Sequence, residues 1–442
     1  MSTLVIFNIK EIIQTETTPI LLPKAGKEMK LLENIKDGFI VIKDNLIEDF
    51  GLMNDLLDGT VKIDGVNIKD GVINKDGQYS DGQSNNNIQV IDASGKMVMP
   101  SFCDSHTHLV YAGSREMEYS HKLRGLSYQE IAARGGGILN SAKLLHNTSE
   151  EELFRQSLNR AWEIMGFGTG AVEIKSGYGL TPEDEIKMLR VAKRIGDETP
   201  LTVKSTFLGA HAVPERYKDN RVEYVNEIIN EMIPVIATEE LAHYIDVFTE
   251  KGFFSVEDTD RIFNAGMKYG LRAKIHANQM SSSGAVQVAV KYNAISADHL
   301  EFTAEAEFKA LKKSGTIATL LPGSTFFLEM NYAPAREMLN YGLPIAIATN
   351  YNPGSSPSGD MKFMMALASL KMKLTPEEVI NAATINGAFA MDLAESHGSI
   401  AKGKIANLII TKPIPSYEYI PYAFTTPLVD TLILNGKIIV LS

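Results

Sequence analysis

The chain has 442 residues, 44% of them hydrophobic, enough to bury a large core as two or three domains or as one barrel with an accessory domain. Its 43 basic and 54 acidic side chains give a net charge of -11 with no basic run, which argues against nucleic acid or a membrane surface as partner. A single cysteine, Cys103, excludes an intrachain disulfide and a cysteine-based zinc knuckle. The global charge does not exclude an anionic substrate, because one local arginine can hold a carboxylate.

The first residues lack the charged region, apolar core and cleavage site of a signal peptide, and no apolar run approaches the ~20 residues of a membrane span. A cytoplasmic protein is expected. Residues 1–96 read as short strands and turns, with β-rich runs at 3–7 and 38–42. Residues 57–87 repeat Asp-Gly and end in Ser84-Asn85-Asn86-Asn87, turn chemistry that predicts an extended, mobile hairpin insertion. Its spacing supplies no calcium ligand set.

From residue 97 the pattern becomes strand, loop, helix, repeated. Eight strands are expected at 97–104, 170–176, 201–209, 244–249, 271–276, 294–298, 316–321 and 344–349, mostly continuous apolar runs as strands buried on both faces should be. Helix starts are marked by Ser149 with Glu152, Thr181-Pro182, Ser255 with Asp258 and Thr375-Pro376. Trp162 is expected to pack a helix onto the barrel, and Cys103 to sit in the core of strand one. The fold class is α/β: a (β/α)8 barrel over 97–399, with a small β-sandwich built by both termini, 1–96 and 400–442.

Chemistry-bearing residues collect where barrel active sites are built. His106 and His108 lie two apart after an apolar run, so both imidazoles face one side of a strand and can reach one metal ion. His211, His276 and His299 follow strands three, five and six. Five of nine histidines thus fall at C-terminal strand ends, which favours a metal site over isolated core histidines. His121, His146, His243 and His397 are expected in surface or capping roles. Arg115, Lys175 with Tyr178, Gln279 and the run Asn350 to Ser356 lie on the same face.

Together these segments resemble the amidohydrolase superfamily and, within it, the imidazolonepropionase family. The resemblance rests on His106-Thr107-His108 with Ala112-Gly113-Ser114-Arg115, on Lys175-Ser176-Gly177-Tyr178-Gly179, on Gly209-Ala210-His211, on Lys274-Ile275-His276, and on Asn352-Pro353-Gly354-Ser355-Ser356-Pro357. It implies one Zn or Fe ion per chain, bound by His106, His108 and His276 and completed by a strand-eight aspartate. It implies that Arg115 and Tyr178 hold a substrate carboxylate, that His211 contacts the ring and its developing oxyanion, and that Gln279 contacts the ring. His299 would support the attacking water or the strand-eight group, and Asn352, Gly354 and Ser355 would line the pocket. The implied reaction opens the cyclic amide of 4-imidazolone-5-propanoate to N-formimidoyl-L-glutamate in histidine degradation; a homodimer is the default expectation for such an enzyme.

One position departs from that pattern. Asn350 stands where the strand-eight aspartate is expected. An amide oxygen can ligate a metal weakly but lacks the basicity of a carboxylate, so activity is expected to fall unless His299 or His211 serves as base. Two other readings stay open. One is a different amidohydrolase, a cyclic amidine deaminase or a dinuclear cyclic amidase with Lys175 as bridging group. The other is a catalytically impaired, amidohydrolase-like binding protein.

Overall fold

The computed structural model describes residues 2–18, 20–57, 72–73, 78–80, 88–125 and 136–440. Most of the 57–87 insertion lies outside them. Two short strands within it, Val72–Ile73 and Gln78–Ser80, pair antiparallel, and the second joins Ile88–Asp92.

Eight parallel strands form the barrel: β1 (Phe102–Thr107), β2 (Thr169–Lys175), β3 (Thr202–Ala210), β4 (Tyr244–Thr249), β5 (Arg272–Ala273 continuing as Ile275–Ala277), β6 (Ser296–His299), β7 (Ile317–Leu320) and β8 (Ile345–Ile347). Most are buried along their whole length, because helices cover the outside and side chains fill the inside. The seam between β8 and β1 is tied by the Asn350 N–H, which donates to the His106 carbonyl at 2.9 Å. Thr349 adds its backbone N–H and its hydroxyl to the Asp104 carboxylate, at 3.0 and 2.5 Å. The first and last strands therefore deliver His106 and Asn350 side by side.

The termini build a second body. Thr3–Ile13 pairs with Asn34–Lys43, Ile88–Asp92 and Met97–Pro100, and the C-terminal strands Leu408–Thr411, Val429–Leu434 and Lys437–Ile439 extend the sheet beyond Met97–Pro100. Ile6, Ile9, Ile12, Ile40, Val98, Ile410 and Ile433 pack within it. The last two strands turn at Asn435-Gly436, both at positive φ as a tight hairpin requires.

The strand expected at 97–104 is therefore two. Pro100 has no N–H to continue a ladder, and the Ser101 N–H turns to the Asn407 carbonyl, so the run changes sheets between Pro100 and Phe102. Trp162 is a second correction. On the helix Glu150–Gly166 the buried stripe is Leu153, Phe154, Ala161, Ile164 and Met165, and Trp162, about 100° round from Ala161, is 38% exposed. Among the described residues no helix is long and apolar enough to cross a membrane.

Candidate active site

β1 carries His106 one residue before its end and the chain runs on to His108, while β5 carries His276. Their ligating nitrogens all lie within 4.8 Å of one another. Two carboxylates fix the ring orientations. The His106 Nδ1–H donates to Asp298 Oδ2 at 2.6 Å, from β6, and the His276 Nδ1–H donates to Asp246 Oδ2 at 3.0 Å, from β4. In both rings Nε2 is left free for the cavity. His106 Nε2 and Asn350 Oδ1 are buried with no partner. Burial, reinforced by Lys175, pushes His106 well below the usual imidazole range, and burial with His211 does the same to His108. Burial also lowers His276, against the pull of Asp246. Three converging neutral imidazoles, with an orphaned amide oxygen on a residue that lines the same cavity, fit a divalent transition-metal ion.

Beneath the histidines lies a fully buried layer of charge. Lys175 Nζ sits 2.6 Å from Glu173 Oε1, 2.9 Å from Asp246 Oδ2 and 3.7 Å from Asp298 Oδ2. Lys274 Nζ donates to Glu173 Oε2 at 2.6 Å and to the Ser105 carbonyl at 2.9 Å. Burial alone would lower Lys175, but Asp246, Glu173 and Asp298 outweigh it and raise its pKa. Burial alone would raise Asp246, and His276 and Lys175 outweigh that in turn. Lys175 is thus an ammonium bridging the two carboxylates that orient His106 and His276. No part of the Lys175 side chain reaches solvent.

Above the histidines opens a cavity of about 180 Å³, walled by Phe248, Phe253 and Ile138. Every other expected site residue lines it: Arg115, Tyr178, His211, Gln279, His299, Asn350, Asn352, Gly354 and Ser355. The loop that carries Tyr178 is held from below. Glu185, in the first turn of the helix Pro182–Glu198, accepts the N–H groups of Gly177, Gly179 and Leu180 at 3.0, 2.7 and 2.9 Å. Burial raises the Tyr178 phenol, so it is a neutral donor. The His211 Nδ1–H donates to the Gly177 carbonyl at 2.9 Å, and burial, then His276, lowers this ring to about 3. His211 Nε2 is therefore an acceptor at neutral pH. His299 sits at φ 86, and its Nδ1 is 3.5 Å from Glu301 Oε1. The Asn352 amide is engaged within its own turn, accepting from the N–H groups of Gly354 and Ser355 at 2.8 Å each and donating to the Asn350 carbonyl at 2.6 Å.

Asp246 and Asp298 are not among the site residues expected from the sequence. Asp246 carries a signal: it is a lone acid in the otherwise apolar strand Tyr244–Thr249. Asp298 stands next to His299, whose signal masks its own. Of the four histidines expected in surface or capping roles, His397 is buried instead, between the Thr202 and Ser396 hydroxyls at 2.9 and 2.7 Å.

Residues 97–439 match the amidohydrolase family model. The imidazolonepropionase of Flavobacterium johnsoniae is 52% identical over 432 residues, covering 98% of each chain. That of Flavobacterium psychrophilum is 51% identical over 439 residues, covering 99% of this chain and all of its own. Among solved structures, E. coli guanine deaminase aligns with a TM-score of 0.71 at 13% identity over 99% of both chains. A triazine hydrolase variant aligns with a TM-score of 0.72 at 13% identity, over 99% of this chain and 94% of its own. These two show the shared fold and nothing finer. Identity of about half along the full length, together with the family match, leads to one conclusion: the chain belongs to the amidohydrolase family, within its imidazolonepropionase branch.

Proposed function

We propose that the chain hydrolyses the cyclic amide of 4-imidazolone-5-propanoate to N-formimidoyl-L-glutamate. The observation that carries this reading is one small cavity with three metal-oriented imidazoles at its floor and a guanidinium at its rim. In this proposal one Zn or Fe ion is held by His106, His108 and His276, with Asn350 Oδ1 as a weak further donor. Such an ion, when bound, polarises a carbonyl and lowers the pKa of water towards ~7.

The remaining roles belong to side chains. Arg115 and the Tyr178 hydroxyl take the propanoate carboxylate. His211 Nε2, an acceptor, takes a ring N–H, which suits it better than donation to an oxyanion. Gln279 faces the ring from the opposite wall, and Asn352, Gly354 and Ser355 shape the carboxylate end. Water adds across the ring carbon–nitrogen bond, and its proton must pass to the leaving nitrogen. Asn350 cannot carry it. His299 accepts it, with the Glu301 carboxylate 3.5 Å from Nδ1 stabilising the imidazolium.

A dinuclear cyclic amidase is not favoured, because Lys175 Nζ is enclosed by carboxylates and is not available as a bridging carbamate. An impaired binding protein is the second reading, and Asn350 is the observation that favours it. Metal analysis and a hydrolysis assay decide. The expected result is one ion per chain, with product formed in the presence of Zn or Fe and lost on chelation. Tight ligand binding with no product under either metal would support the second reading and overturn the first.

A further inference from the structure

We infer that Glu118 is a positioning residue that holds Arg115 for a monocarboxylate; the inference rests on the proposed reading of the cavity. Arg115 caps the helix Glu116–Leu123, and Glu118 lies in its first turn. The guanidinium gives one whole edge to Glu118: Nε and Nη2 donate to the same oxygen, Oε2, at 2.9 and 2.7 Å. The carboxylate is itself anchored from a second helix. Both its oxygens accept the Gly137 N–H at 3.1 Å, and Oε1 accepts Asn140 Nδ2 at 3.2 Å. Gly137 stands at φ 85 and ψ -160, a conformation open to glycine, which aims that N–H at Glu118.

The Nη1 end of the guanidinium lies close to Gly354. A Cβ there would stand 2.0 Å from Arg115 Nη1, so any side chain at 354 would push the guanidinium away. Arg115 is therefore held by Glu118 through Nε and Nη2 and confined by Gly354 at Nη1, beside the cavity that Arg115 and Gly354 both line.

An ordinary i,i+3 ion pair on a helix surface would be weak and mobile. This one differs in that both side chains are mostly buried, at 13% and 15% exposure, and the acid has donors beyond the arginine. Pairing keeps the guanidinium in register before the ligand arrives, which lowers the ordering cost of binding. It also offsets part of the positive charge. An acid already beside the arginine disfavours a dianion, so the site selects a planar monoanionic carboxylate over a phosphate or phosphonate.

The test uses the full chain and ligand binding, so it does not depend on turnover. Probes are 3-(imidazol-4-yl)propanoate and its neutral counterpart 4-propylimidazole, measured by calorimetry on wild type, E118A, E118Q, G354A and R115M. E118A and G354A are expected to weaken the propanoate about tenfold, the scale of one charge-assisted hydrogen bond, while 4-propylimidazole binds as to wild type. E118Q, which keeps an acceptor oxygen, recovers part of the loss. In hydrolysis the loss falls on KM more than on kcat. Unchanged 4-propylimidazole binding also shows that each variant is folded. Selective loss in R115M with wild-type binding in E118A would overturn the clamp alone. Unchanged propanoate binding in R115M would overturn both the clamp and the reading of the cavity. Equal loss of both probes in E118A would make Glu118 merely structural.

Discussion

Replacing Asn350 by Asp changes charge and little else. The two side chains share a shape, and the left-handed backbone at this position, φ 52, is one that both tolerate. The backbone N–H stays on the His106 carbonyl, so the side chain keeps its place. Asn350 Oδ1 is buried and has no donor, so the same oxygen in a carboxylate would be a charge without a partner in the metal-free protein. Leaving such a group unsatisfied costs about 1–3 kcal/mol, and more when charged. Metal-free N350D is therefore expected to be less stable than wild type in urea denaturation, by the excess cost of a buried charge over the neutral oxygen that wild type already leaves unpaired. With the ion present the sign reverses. The carboxylate gains a dication, metal affinity rises about tenfold or more by chelator competition, and turnover rises about 10²–10⁴-fold if position 350 carries proton transfer. Equal turnover of the two metal-saturated forms would refute that role and leave the proton with His299. Equal stability of the two metal-free forms would refute the premise that Oδ1 stands alone.

Two further outcomes follow from buried charge. K175M leaves Asp246, Asp298 and Glu173 short of a cation and is expected to lose about 3–5 kcal/mol of stability, while K175M/E173Q, which also removes a carboxylate, loses less; denaturation curves of the two variants that coincide with wild type would count against the bridge. His397 is lowered to about 4 by burial, with Lys404 and Lys204 adding to it, so between pH 4 and 6.5 the unfolded chain binds a proton that the folded chain does not. Its contribution is present at pH 7 and is lost as pH falls, by about 2 kcal/mol at pH 5. The urea midpoint should drop from pH 7 to pH 5, and H397Q should drop less; identical slopes would refute the assignment.

The barrel was legible because parallel strands buried on both faces leave continuous apolar runs, and β4 was placed to the residue. The boundary at Met97 was not. An apolar run looks the same whether it serves one sheet or two, and only Pro100 hinted at a break. The site was legible where its residues are chemically unusual at strand ends, as His106 and His108 are. It was illegible where a common residue acts through another. Lys175 reads as a strand-end lysine on the active-site face until acids on β2, β4 and β6 are seen around it, and Glu118 reads as a helix-end acid until Gly137 and Asn140 are folded onto it. Those partners are 19 and 22 residues away, and no local pattern pairs them.

The buried layer also bears on what Asn350 takes away. Three carboxylates, Glu173, Asp246 and Asp298, face two ammonium groups, Lys175 and Lys274, and none of the five reaches solvent. One acid more than the ammonium groups therefore lies under neutral imidazoles, with burial pushing the Asp298 carboxyl above its usual range. The layer acts on a dication through the Nδ1–H bonds of His106 and His276, which raise the basicity of the opposite nitrogens. The charge that favours metal binding is thus separate from the basicity that moves a proton. An amide at position 350 weakens the first and removes its own share of the second. The expectation is a protein that holds its metal and its carboxylate ligand, and whose rate is set by whatever group replaces the missing carboxylate as proton carrier.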